Sequence, residues 1–287
     1  MNTFRYFSDA NMAGALWPVV VTGLAVAMLC ALLSVLVVLK RLAFIGQGIS
    51  HAGFGGMGLA AVMGLAAAAA AGSPSASVGQ FLVVLAFCLL SALLIGFLNE
   101  RGQAESDTAI GIVLVGTMAI GIVLMRAARS RVNVESFLFG DLLAVNWTDA
   151  AIGWSVTAAI LLALWAARRP LLFWSFDPTV ARALGVSDRR MNLLLMFLLG
   201  LATVTAMRLA GAVLATAMLV LPGAIALRLS RRWAAVLWLA AAAALVGILG
   251  GLLVSLELSW PPGAAIVTVL CALFALACAP ALTRRAA

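Results

Sequence analysis

Charge is what this chain has least of. Asp, Glu, Lys and Arg make up 10% of its 287 residues, and it holds one lysine, Lys40, and one histidine, His51. Such scarcity excludes an ordinary water-soluble domain, in which about a quarter of the residues are charged. Lys40 is followed by Arg41 rather than Ser or Thr, and no GxxxxGK(S/T) segment occurs, so the chain lacks the phosphate-cradling loop that would bind ATP in that manner. Neither a GxSxG elbow nor an HExxH helix is present, which leaves serine-hydrolase and zinc-hydrolase chemistry without its residues. Cys30, Cys88, Cys271 and Cys278 lie in apolar stretches without CxxC spacing and read as small packing residues.

What the sequence has instead is apolar length: 65% of its residues are apolar and its mean hydropathy is +1.18. A helix needs roughly 20 apolar residues to cross a hydrocarbon core. Long stretches free of Asp, Glu, Lys and Arg cover 10–39, 42–99, 108–125, 150–167, 191–207, 209–227, 233–256 and 258–283. The 42–99 run is long enough for two spans, and the turn-forming GSPSASVG at 72–79 divides it. The expectation is an all-α polytopic transmembrane bundle of eight or nine spans, near 13–39, 43–70, 79–98, 108–126, 149–167, 191–207, 211–229, 233–254 and 263–281. The count turns on whether the external stretch 132–147 dips into the bilayer.

With the amino terminus outside, thirteen of the 18 Lys and Arg residues fall on the cytoplasmic side, and only Arg5, Arg126, Arg129, Arg131 and Arg208 remain outside. This positive-inside bias orients a multi-pass protein in the inner (plasma) membrane and accounts for the net charge of +8 without nucleic-acid binding. The first apolar run is too long for a cleaved signal peptide and reads as a retained span. No connection exceeds about two dozen residues, so residues 1–287 read as one membrane domain. The two halves share no convincing inverted repeat.

The cytoplasmic segment RRPLLFWSFDPTVARALGVSDRR at 168–190 carries strong local signals. Asp177 can cap a short helix, Pro178 suits its first position, Val180 to Leu184 can form a turn or two, and Gly185 can end it. Apart from Arg182 its face is small and apolar, so it either packs on its own bundle or docks a partner.

His51 lies in KRLAFIGQGISHAGFGGMGLA. On a helix, Gln47, His51 and Gly55 share one face at spacings of four, while Gly48, Ala52, Gly56 and Ala60 form a small-residue stripe about 100° away that admits a neighbouring helix. The imidazole then borders a helix contact as a metal ligand, a proton relay, or a structural group bonded to a carbonyl of an adjacent helix. One histidine is an incomplete site for a divalent metal. Gln47 offers an amide oxygen without charge; the candidate carboxylates are Glu105 and Asp107 in ESDTAIGI, then Glu100, Asp141 and Glu257. Asp107 before an apolar run also reads as a helix cap. Pro222, mid-span in AMLVLPGAIALRLS, frees a backbone carbonyl, giving a kink or an oxygen site.

Five segments occur in order: VVLKRLAFIGQGISHAGFGGMGLA, ESDTAIGIVLVGTMAIGIVL, ESFLFGDLLAV, SFDPTVARALGV and RLAGAVLATAMLVLPGAIALRL. Together they resemble the permease family of zinc/manganese/iron-type ATP-binding-cassette importers, from about residue 13 to residue 281. The resemblance implies a transport subunit that is not itself an enzyme. It implies three partners: a cytoplasmic ATPase that binds ATP, an extracytoplasmic metal-binding protein, and a second permease copy, identical or related, with the translocation path along the interface. It further implies that SFDPTVARALGV, with Asp177, Pro178, Ala181, Arg182 and Gly185, is the coupling segment resting on the ATPase. His51 matches the family's SHA histidine, associated with the metal path, and Asp107 matches the acid of its EDT-like motif.

Where the family usually carries an acid four residues before that histidine, this chain has Gln47. The change removes a charge that would offset desolvation of a divalent cation, and it disfavours manganese more than a softer, histidine-favouring ion such as zinc. The implied function is import of a divalent transition metal (zinc, manganese or iron) by alternating access, with no tightly bound cofactor. The alternatives are a gradient-driven secondary transporter using His51 as a proton relay and a permease for a metal chelate. An intramembrane enzyme using Ser50 and His51 ranks last, because adjacent helix positions point about 100° apart.

Overall fold

The computed structural model describes residues 10–71, 73–100, 106–129 and 145–283. Glu105, Asp141 and the stretch 132–144 lie outside the described residues. Within them every regular element is a helix: α1 (Ala10–Leu39), α2 (Ile45–Val62), α3 (Leu65–Ala70), α4 (Pro74–Glu100), α5 (Ser106–Ala127), α6 (Trp147–Ala166), α7 (Arg168–Phe176), α8 (Pro178–Ala183), α9 (Asp188–Ala210), α10 (Ala212–Met218), α11 (Leu221–Leu229), α12 (Trp233–Leu258) and α13 (Pro262–Thr283). Among the described residues eight helical segments are long and apolar enough to cross a membrane. They are Leu16–Leu39, Ser75–Asn99, Ser106–Ala127, Trp147–Ala166, Asp188–Ala210, Ala212–Leu229, Trp233–Leu258 and Pro262–Ala279. The polytopic helical bundle read from the sequence is therefore present.

Two of the expected spans are broken. The span 43–70 is interrupted after Val62, where Gly64 takes φ +75°, a left-handed conformation that a residue without a Cβ adopts freely, before α3 restarts at Leu65. At 18 residues α2 is still about 27 Å long. It falls short of the apolarity of the other eight because Gln47, Ser50, His51 and its many glycines replace lipid-compatible side chains. The span 211–229 divides into α10 and α11 at Leu219–Val220. Pro222, second in α11, has no amide hydrogen to give to the preceding turn, so the proline marks a kink. Directly after it, a Cβ on Gly223 would fall on the Ser34 carbonyl of α1, so the kinked helix rests main chain to main chain on α1.

The helices pack in two groups. In the first, which contains α1, α6, α10 to α13 and the α9 residues from Thr205 on, α6 follows α1 through polar bridges between spans. The Trp154 indole donates to the Val21 carbonyl at 3.1 Å, and the buried Thr157 hydroxyl lies 3.2 Å from the Ala25 carbonyl. Such a bond inside a membrane contributes about 0.6 kcal/mol. Val35, Ala226, Val236 and Ala240 form the core between α1, α11 and α12. α12 and α13 cross closely where Gly247 meets Leu270 and Gly251 meets Ile266.

The second group contains α2 to α5, α7, α8 and most of α9. α9 runs against α4, with the buried Asn192 amide donating to the Gly96 carbonyl at 3.1 Å.

Candidate functional site

α2 lies between α4, which runs against it, and α5, which runs with it. Its glycines make that approach possible. A Cβ on Gly48 would stand 2.8 Å from the Ile110 side chain, one on Gly56 2.8 Å from the Val84 Cα, and one on Gly58 2.7 Å from the Gly121 carbonyl. Gly55, on the His51 face, is closed off by the Phe87 ring and the Thr117 carbonyl. The pairs 48 with 110, 55 with 117 and 58 with 121 set a parallel register between α2 and α5. The small-residue stripe read from the sequence therefore has a physical counterpart, and it is wider than four positions.

His51 is the seventh residue of α2 and is half-buried. Its Nδ1 lies 3.0 Å from the Gln47 carbonyl oxygen, one turn earlier in the same helix. A carbonyl only accepts, so Nδ1 carries the hydrogen, and in the neutral ring the lone pair is on Nε2. That is the protonation pattern a coordinating histidine takes when a bond to the other nitrogen fixes its tautomer and orientation. The carbonyl expected on an adjacent helix is thus found within α2.

The buried Ser50 hydroxyl donates to the same Gln47 oxygen at 3.2 Å. Ser50 and His51 consequently do not pair as nucleophile and base. Gln47 acts here through its main chain, and its side chain is exposed. The Phe54 ring flanks the imidazole, with centroids 6.5 Å apart and planes tilted by 47°.

Asp107 is the second residue of α5 and is exposed. Its carboxylate therefore complements the positive end of the helix dipole from inside the first turn rather than from the cap. The α2–α5 register sets Asp107 level with the start of α2, six residues below the level of His51, or about 9 Å along the axis. Gln47 and His51 share a face, but Asp107 does not join them within one chain. Glu100 ends α4, and Glu257 lies near the end of α12 in the first group of helices. Among the described residues no three His, Cys, Asp or Glu side chains gather closely enough to hold a metal.

The segment 177–185 folds as its residue types dictate. Asp177 has extended backbone, and its Oδ1 accepts the amides of Thr179 at 2.8 Å and Val180 at 3.1 Å, while Pro178 opens α8. At the other end Gly185, with φ +79°, donates to the Arg182 carbonyl, and Val186 donates to the Ala181 carbonyl, both at 3.0 Å. This paired closure satisfies the last carbonyls of the helix. Ala181 is fully buried and seats α8; Val180 and Leu184, one turn apart, are exposed. Arg182 Nε lies 3.2 Å from Oδ2 of Asp188, the first residue of α9.

Sequence reasoning missed α7. Its signal was Pro170 in a first turn, where proline is tolerated, followed by Leu171 and Trp174 at helical spacing, both of which the structure buries. Asp177→Ala is expected to cost α8 about 0.5–2 kcal/mol, and Asp177→Asn, itself a capable cap, much less. Protease cleavage within 168–190 of the purified protein should rise for the alanine variant alone. Equal cleavage of both variants would count against the cap.

Residues 12–281 match the model of the ABC 3 transport family. The manganese transport system membrane protein MntC of Halalkalibacterium halodurans is 32% identical over 279 residues, 96% of this chain and 91% of its own length. The probable iron transport system membrane protein of Haemophilus influenzae is 33% identical over 258 residues, 90% of each chain. Among solved structures, PsaBC from Streptococcus pneumoniae in complex with Fab superposes with a TM-score of 0.76 at 31% identity, covering 92% of this chain and 91% of that one.

Proposed function

We propose, because the chain belongs to the ABC 3 transport family, that it is the membrane permease of an ATP-driven importer for a divalent transition-metal ion. A cytoplasmic ATPase would hydrolyse ATP, an extracytoplasmic binding protein would deliver the ion, and a second permease copy would complete the path. The observation that carries this reading is α8: a short helix fixed at both ends outside the spans, with Val180 48% and Leu184 63% exposed. Apolar side chains so presented to water suit a protein partner. Asp177, Pro178 and Gly185 keep α8 rigid, Ala181 seats it, and the Arg182–Asp188 pair ties it to α9, so a push on α8 is passed to a span. As a half-exposed ion pair it orients more than it stabilises.

His51, with Nδ1 held by Gln47 and Nε2 carrying the lone pair, would serve as a transient ligand along the path. Asp107, near the cytoplasmic end of α5, would meet the ion at another level rather than at the imidazole. A single imidazole holds a divalent ion weakly, as release requires. The names of the relatives divide among manganese, iron and zinc. Gln47 inclines this chain toward zinc, because a neutral amide offsets desolvation of a hard cation less than a carboxylate does.

The test is the permease reconstituted with its ATPase and binding protein, with ATP hydrolysis followed against zinc, manganese and iron. Zinc is expected to stimulate most, and Gln47→Glu should move the manganese-to-zinc ratio toward manganese by about tenfold. If no divalent ion stimulates hydrolysis, the importer reading fails. An unchanged ratio in the variant would remove Gln47 from ion choice.

A further inference from the structure

We propose that α11, α12 and α13 form a site for an anionic phospholipid of the cytoplasmic leaflet, with an acyl chain in the cleft between them and the phosphate on Arg228, Arg231 and Arg232. The cleft measures about 360 Å³ and is lined by apolar side chains, among them Ile225, Leu229, Leu239, Ala242, Val246 and Leu276. All six belong to segments long and apolar enough to cross a membrane, so the cleft lies at the depth of the hydrocarbon. On α12 the lining runs from Leu239 to Val246, two turns or about 10 Å.

One end of the cleft is basic. Leu229 is the last residue of α11, Arg228 stands beside it, and Arg231 and Arg232 fill the short link to α12, about two turns before Leu239. All three arginines are exposed, and among the described residues none is in an ion pair. Positive-inside bias alone would place arginines on this side. What distinguishes these is an apolar cleft whose lining reaches Leu229, the residue that follows Arg228. Inorganic phosphate would satisfy the arginines and leave the cleft unfilled, and a zwitterionic lipid would fill the cleft but bring a second cation to the arginines. A lipid with an uncompensated phosphate and an acyl chain satisfies both, in the way basic pockets between spans hold anionic headgroups.

The test is native mass spectrometry of the full transporter complex in mild detergent, offered phosphatidylglycerol, phosphatidylethanolamine of the same chain length, or inorganic phosphate. Phosphatidylglycerol should be retained over phosphatidylethanolamine. The variant Arg228→Gln/Arg231→Gln/Arg232→Gln should reduce that preference by about 100-fold, since each cation near the headgroups contributes roughly fivefold. Ala242→Phe, which fills the cleft from an exposed position, should reduce retention of both lipids.

Equal retention of the two lipids, or a preference that survives the triple variant, overturns the proposal. So does displacement of phosphatidylglycerol by millimolar phosphate, which would indicate a free-anion site. Retention unaffected by Ala242→Phe would mean surface attraction only. Cross-linking of two copies through Ala242→Cys, in a variant lacking Cys271 and Cys278, would make the cleft a protein interface and overturn it equally. Should the triple variant not be monodisperse, Ala242→Phe still decides.

Discussion

Metal uptake by cells that depend on this transporter is expected to fall by at least about tenfold when His51 becomes Ala, while the purified protein melts as the unmodified one does. The two halves of that expectation have separate causes. The imidazole is half-buried and gives its hydrogen to an oxygen that also accepts the Ser50 hydroxyl. Removing it therefore leaves no orphaned donor and no enclosed cavity, the two common sources of large destabilisation. The proposed path would lose an Nε2 lone pair for which the chain has no other imidazole, His51 being its one histidine.

A histidine that served only the fold would show the reverse, a lowered melting point with uptake intact. A proton relay would also lose uptake on substitution, but then collapsing the proton gradient at constant ATP would stop the unmodified transporter. An ATP-driven importer would continue. Uptake by His51→Ala at the unmodified rate under limiting metal would remove the residue from the path.

Gly121→Leu is expected to be the most damaging single change in α5. A Cβ at Gly121 would lie 2.5 to 2.7 Å from the carbonyl carbon and oxygen of Phe54 and the amide nitrogen of Gly55, all main-chain atoms of α2. No rotamer relieves a clash with backbone, so the cost should reach the upper end of overpacking, about 3 kcal/mol, or roughly 10 °C of melting temperature. Gly116 lies in the same helix, and a Cβ there would meet nothing within 4 Å, so Gly116→Leu is the matched control and should melt as the unmodified protein does. Thermal melts and size-exclusion profiles of the two variants check this. Similar melting of both would mean that α2 and α5 do not pack as closely as their glycines suggest.

The spans were legible because hydrocarbon demands long apolar runs, and the charge-free stretches carried that demand directly. The breaks were less so. Gly64 lies among Ala, Met and Leu in a run that reads as continuous helix, and nothing in apolarity alone reports a left-handed φ. At Pro222 the residue type itself was the signal, and the kink follows from the missing amide hydrogen. Asp177, Pro178 and Gly185 were readable because caps are local, with each side chain or φ acting within four residues.

The candidate site was only half readable. Spacing of four put Gln47 and His51 on one face, but whether the glutamine acts through its amide or its carbonyl is set by ring orientation, which sequence does not encode. Asp107 stood close to the family motif in sequence. Its separation from His51 follows from the register of two helices 62 residues apart, a tertiary quantity.

That register also limits how α2 can move against α5. If α2 slid past α5 like a piston by one turn, about 5.4 Å, Phe54 or Val62 would arrive where Gly58 now meets the Gly121 carbonyl, and neither side chain fits there. The notches admit one setting. α2 therefore cannot slide along α5, and if His51 serves an ion path as proposed, its imidazole would move only together with the joined α2–α5 pair, so that a change of access would have to come from tilting of that pair.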